Sequence, residues 1–199
     1  MKQWEDTWPT MRLESHFGDR VVRCFAERPA TLYALLANAA DAYPSSTALV
    51  CGEERITWQE LLSLTTRFAA GLAQRGVVAG DRVAMLIGNR TEFVTTLFAA
   101  AHLGAIAVPL STREQTPGLA YMLNDCTAAA LVHDADLKDR LPTGADVPAL
   151  CLRVSIGASE GSEEFAAILS DVEASAPATV QEEDVAAIMY TSGTTGNPK

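Results

Sequence analysis

No apolar run in this sequence approaches the roughly 18 residues that a membrane-crossing helix requires. The longest candidate, Phe93 to Pro109, is broken by Thr95, Thr96, His102 and Gly104. Cysteine is scarce and scattered: Cys24, Cys51, Cys126 and Cys151 lie 27, 75 and 25 positions apart, with no CxxC pair. Each sits in or beside apolar residues, so buried free thiols are expected. The three histidines, His16, His102 and His133, are equally dispersed, which argues against a Cys/His metal centre. Basic charge is short too. Fifteen Lys and Arg face 25 Asp and Glu, a net charge of −10, which argues against a nucleic-acid partner or a basic membrane-surface role. Met1 to Asp6 carries charges and no apolar core, so no signal peptide is read there, and the cytoplasm is the expected compartment.

What the sequence does have is apolar content, 48% over 199 residues, enough for a substantial core. Residues 1–30 are mixed in charge and weakly periodic, and read as an irregular leader. From Thr31 onward the pattern is regular. Leu32, Leu35, Leu36, Ala39 and Ala40 recur at helical spacing before Pro44. Ala48–Cys51 turns through Gly52-Glu53-Glu54 into Arg55-Ile56-Thr57, a hairpin pattern. Thr57-Trp58-Gln59-Glu60 has the form of a capping box opening a helix that runs to Gly76. Arg82 to Ile87 is an apolar strand. Thr91 to Leu103 is a helix with Gly104 at its C-terminal cap. Ala105 to Pro109 is the next strand, Pro117 to Asn124 a helix, Ala128 to Val132 a strand, Asp136 to Leu141 a short helix and Pro148 to Val154 a strand. Residues 153–199 carry eight acids against Arg153 and Lys199, with a helix near Glu163 to Leu169 and a buried strand at Val185 to Tyr190. Strands alternating with helices define an α/β class, with a mostly parallel sheet flanked by helices.

The chemistry is concentrated in Tyr190-Thr191-Ser192-Gly193-Thr194-Thr195-Gly196-Asn197-Pro198-Lys199. An apolar strand delivers the chain to a loop rich in hydroxyls and glycines. Glycines let backbone N–H groups approach an anion, and a terminal lysine adds compact positive charge. The spacing is not that of GxxxxGK[ST]. Thr191, Ser192, Gly193, Thr194, Thr195, Gly196 and Lys199 together suit a polyphosphate. His102 reads as a helix-surface or core residue, His133-Asp134 as a polar strand end, and Trp58 as a packing residue. Arg82 and Arg90, which flank the apolar strand, are weak candidates for anion contacts.

The ten-residue string resembles the phosphate-loop signature of the adenylate-forming, AMP-binding enzymes. Ile56-Thr57-Trp58-Gln59-Glu60-Leu61 is similar to the family's first core motif. His102-Leu103-Gly104-Ala105-Ile106-Ala107-Val108-Pro109-Leu110 is similar to the second. Gly76-Val77 and Gly80-Asp81-Arg82-Val83-Ala84 match a segment between them. Ser111 stands where the family often has Asn, and Glu114 and Pro117 replace a Leu and a helix former. The resemblance, over about Leu32 to Lys199, is most like acyl-CoA synthetases for fatty or aryl acids. It implies ATP, Mg²⁺ and coenzyme A as cofactors, a small carboxylic acid as substrate, and reaction through an acyl-adenylate. Adenylation domains that load a carrier protein are an alternative within the family. A non-catalytic scaffold or weak anion-binding module is an alternative outside it. The family's adenine, ribose and adenylation-lysine motifs lie downstream of such a loop. The expected organisation is therefore a leader over 1–30 and a truncated N-terminal portion of the AMP-binding domain over 31–199. On this expectation the C-terminal lid domain is absent, no catalytic residue is assigned within the chain, and the chain alone is expected to be inactive. The unpaired Val185–Tyr190 edge is expected to drive self-association.

Overall fold

The computed structural model describes residues 9–171 and 176–191. Its centre is a five-stranded sheet built from β5 (Arg82–Leu86), β6 (Ile106–Pro109), β7 (Ala130–Asp134), β8 (Leu152–Ile156) and β9 (Glu163–Glu164). The order is β6-β5-β7-β8-β9 and every pairing is parallel. In β5 and β7 four of five residues are buried. That continuous apolar run is what a strand covered on both faces requires.

The crossovers sort the helices onto two faces. On one, α2 (Trp58–Gln74), α3 (Thr91–Leu103) and α5 (Phe165–Ile168) meet the sheet. Phe68, Leu72, Ala99 and Phe165 pack there with Val83, Met85 and Val132. On the other, α4 (Thr116–Asp125) brings Leu119, Met122 and Leu123 against Ala84, Leu86, Val108 and Leu131. After β5 the chain crosses one face to β6; after β7 it crosses the other toward β8. The carboxyl ends of β5 and β7 therefore form a topological switch point, where open α/β sheets place ligands.

The family-like motifs fall at joints of this frame. Hairpin β3 (Thr47–Cys51) and β4 (Glu54–Thr57) leads into α2 through a complete capping box. Glu60 N–H donates to Thr57 Oγ1 at 3.2 Å, and Thr57 N–H donates to Glu60 Oε2 at 2.7 Å. Gly104 ends α3 at φ 68, and a Cβ there would lie 3.0 Å from the Ala178 Cβ. Left-handed backbone and close approach both require glycine. Ser111 Oγ accepts from Arg113 N–H at 3.3 Å, so this substitution still caps its turn. α1 (Leu32–Ala42) is capped by Thr31, and its Leu36 packs with Ile56 and Leu61 beside Trp58. A 3-10 helix at Ala135–Arg140 takes the place of the expected short helix.

Three expectations are corrected. Residues 11–25 are not irregular: β1 (Met11–His16) and β2 (Arg20–Phe25) form an antiparallel hairpin. Phe17 at φ 52 and Gly18 at φ 87 make the tight reversal that such a hairpin needs. Val185–Tyr190 is not a buried strand. Only Ala187 bridges, in parallel to Ala107 of β6, and Val185 and Met189 are 59% and 75% exposed. Among the described residues no strand pairs with the outer edge of this segment, and Val185, Ala187 and Met189 are exposed. Of the four cysteines only Cys126 is buried; Cys24 and Cys51 are half-buried and Cys151 exposed, all as free thiols. Among the described residues no helix is long and apolar enough to cross a membrane.

Candidate phosphate-binding site

The approach to the loop is assembled from residue 178 onward. Ala178 N–H donates to the His102 carbonyl at 2.8 Å, at the end of α3. Ala107 N–H donates to the Ala186 carbonyl at 3.1 Å, and Ile188 N–H returns the bond to Ala107 at 2.9 Å. The chain thus starts a sixth position outside β6. Ile188 and Tyr190 then turn onto the α4-side core. The Tyr190 hydroxyl donates to Asp125 Oδ2 at 2.6 Å and lies 3.2 Å from the Met122 carbonyl. Burial first, and the Asp125 carboxylate second, push this phenol above its ordinary range, so it stays a protonated donor. Thr191 follows, exposed. Of the sequence-assigned phosphate residues only Thr191 is described; Ser192, Gly193, Thr194, Thr195, Gly196 and Lys199 lie outside the described residues.

A polar clamp holds the same arm from the other side. Arg28 donates to Glu182 Oε2 at 2.6 Å and to both oxygens of Glu14 at 2.9 and 2.7 Å. Phe17 N–H donates to Glu183 Oε1 at 2.9 Å. The Arg28 guanidinium, then that of Arg12, holds the Glu14 carboxyl far below the usual carboxylate range. Sequence reasoning missed this clamp because its partners are over 150 positions apart. The acid-rich C-terminal stretch supplies Glu182 and Glu183 to it. The Tyr190 anchor was also missed, though an aromatic residue opening the string at a strand end was its visible signal.

The switch-point crevice, about 710 Å³, is lined by Glu54, Asn89, Arg90, Glu92, Asp134 and neighbours. Arg90 is held there by Glu92 and Asp134, at 2.8 and 2.9 Å. Arg82 donates to the carbonyls of Gly80, Cys126 and Thr127. Both guanidiniums are engaged within the fold. His133 and Asp134 do end β7, and His133 is fully buried. Its Nδ1 lies 2.9 Å from the Asp134 carbonyl and its Nε2 2.9 Å from Ser162 Oγ, and burial lowers its pKa. His102 is 2% exposed and meets Tyr33 edge-on at 4.6 Å, a core residue.

A parallel sheet of this order, with residues 186–191 at its edge leading in sequence to a hydroxyl- and glycine-rich string, defines the class. Residues 36–199 match the family model "AMP-binding enzyme", and the chain belongs to that family. It is 35% identical over 149 residues to the long-chain-fatty-acid–CoA ligase FadD13 of Mycobacterium tuberculosis, covering 73% of this chain and 29% of that protein. It is 35% identical over 156 residues to a feruloyl-CoA synthase of Amycolatopsis sp, covering 78% and 30%. The N-terminal domain of FACL13 from Mycobacterium tuberculosis superposes with a TM-score of 0.75 at 30% identity, covering 85% of this chain and 43% of that one. The chain spans about three-tenths of the length of the curated relatives it matches.

Proposed function

We propose that the protein takes part in ATP-dependent activation of a small carboxylic acid and its transfer to coenzyme A. The observation that carries this reading is the Thr191–Lys199 donor set, placed in a family whose members include fatty-acid and aryl-acid CoA ligases. In that reaction the carboxylate oxygen bonds to the α-phosphorus of ATP, pyrophosphate leaves, and the thiol of coenzyme A then displaces AMP. The donor chemistry fits a polyphosphate. The hydroxyls of Thr191, Ser192, Thr194 and Thr195 donate to phosphate oxygens. Gly193 and Gly196 admit backbone N–H groups, and Lys199 offsets the charge on the departing pyrophosphate. The string holds no carboxylate, so Mg²⁺ would reach this site on the phosphates themselves. Tyr190, Ile188 and the Arg28 clamp support the reading by fixing the chain that enters the loop.

The test, made in a full-length enzyme that carries this sequence, is pyrophosphate release from ATP-Mg²⁺ with a panel of fatty and aryl acids, trapping the adenylate with hydroxylamine. Acid-dependent release that falls in Lys199→Ala supports the assignment. Release that is unchanged in Lys199→Ala overturns it, and anion binding without release favours a non-catalytic module. The open outer edge of Ala186–Ile188 also supports self-association through this segment, which sedimentation velocity checks as a concentration-dependent shift in mass.

A further inference from the structure

We propose that the N-terminal hairpin carries a transition-metal site formed by Glu14, His16 and Cys24. In the β1–β2 register Arg12 faces Cys24 and Glu14 faces Val22, so Glu14, His16 and Cys24 project from one face of the ribbon. One donor atom from each lies within 4.8 Å of the other two, and all three residues are half-buried. The spacing of Cys24 from the other cysteines had hidden this, because strand pairing rather than sequence distance brings the donors together.

The donor set is selective. A thiolate and an imidazole favour Zn²⁺, Co²⁺ and similar ions over Mg²⁺ or Ca²⁺, and a carboxylate completes a three-residue set. His16 is already oriented for the role. Its Nε2 lies 3.0 Å from Glu14 Oε2, while its Nδ1 lies 3.3 Å from Glu183 Oε1. A carboxylate behind the imidazole is the arrangement that fixes the tautomer of a metal-binding histidine. His16 and Cys24 line a cavity of about 840 Å³ between the hairpin, α1 and residues 179–186, which leaves access for an ion and room for a fourth ligand. The hairpin precedes the family-matched residues 36–199, so the site is an addition to what the family match covers. Arg28 and Arg12 both hold Glu14, and an ion must share that carboxylate with two guanidiniums. Binding is therefore weaker than in a closed structural zinc site, and loss of Arg28 strengthens it.

The experiment is a Co²⁺ titration of the 199-residue protein under reducing conditions, read by absorption, followed by displacement with Zn²⁺. The expected result is saturation at one equivalent, with a thiolate-to-cobalt charge-transfer band and the visible bands of four-coordinate cobalt. Cys24→Ser abolishes the charge-transfer band, and His16→Gln weakens binding on the order of 10-fold or more. Arg28→Gln tightens binding several-fold, a gain that unfolding of the hairpin could not produce. Absence of the charge-transfer band, its survival in Cys24→Ser, or an affinity unchanged in Arg28→Gln overturns the three-donor site.

Discussion

In β7 the side chains of Ala130, Leu131, Val132 and His133 have no solvent exposure, whereas in the N-terminal hairpin Leu13, Val21 and Phe25 are 73%, 63% and 43% exposed. Both are β-structure, but different forces hold them. The sheet is fixed by apolar burial on two faces. The hairpin presents its apolar face outward and docks by its polar one, through Arg28, Glu14, His16, Glu182 and Glu183. Burial is insensitive to pH and salt, while exposed ion pairs contribute little stability each and are screened. The global fold should therefore follow the sheet, and the placement of the arm leading to Thr191 should follow the clamp.

Changes in the sheet should have the largest effects. Leu131→Ala leaves a cavity between β7 and α4 and is expected to cost about 2–5 kcal/mol in urea unfolding. Next is Gly71→Ala on α2. Alanine favours a helix, but its Cβ would lie 1.9 Å from the Ile168 carbonyl oxygen, so α5 must move. The expected net loss is about 1–3 kcal/mol, and a stabilised variant would show that α5 packs loosely. Smallest globally is Arg28→Ala. It should leave the urea midpoint nearly unchanged while amide exchange rises in the hairpin and at Ala107 and Ile188. A global loss matching Leu131→Ala would erase the distinction between the two regions.

The clamp also has a pH signature. The pKa of Glu14 is lowered in the fold, chiefly by Arg28, so its contribution is present above the ordinary carboxylate range and is lost as pH falls through the depressed value. NMR should show the Glu14 carboxyl still ionised where exposed glutamates have titrated, and hairpin amide shifts should move only in more strongly acidic solution. Titration of Glu14 alongside exposed glutamates would contradict the clamp.

The same division explains what could be read in advance. The α2 capping box, Gly104 at the end of α3 and the apolar strands β5 and β6 were legible because each depends on residues close in sequence. The β1–β2 hairpin was not, since its alternation of Arg, Glu and His with Leu and Val reads as mixed charge until the partner at residues 182–183 is known. The Val185–Tyr190 segment looked buried by composition, but burial needs elements packed over both of its faces, which composition does not report. The string from Thr191 onward reads as phosphate-binding chemistry, and of its assigned residues only Thr191 lies among the described ones. Its anchoring through Tyr190 to Asp125 depends on a packing of α4 that no local pattern contains.

The central proposal is that the residues from Thr191 to Lys199 bind a polyphosphate. Titration calorimetry of the 199-residue protein with inorganic pyrophosphate tests it most directly. The account predicts saturable binding that weakens on the order of 10-fold, about 1.4 kcal/mol, in Lys199→Ala and persists in Arg90→Gln, whose guanidinium is committed to Glu92 and Asp134. No binding, or equal affinity in the wild type and Lys199→Ala, would contradict it.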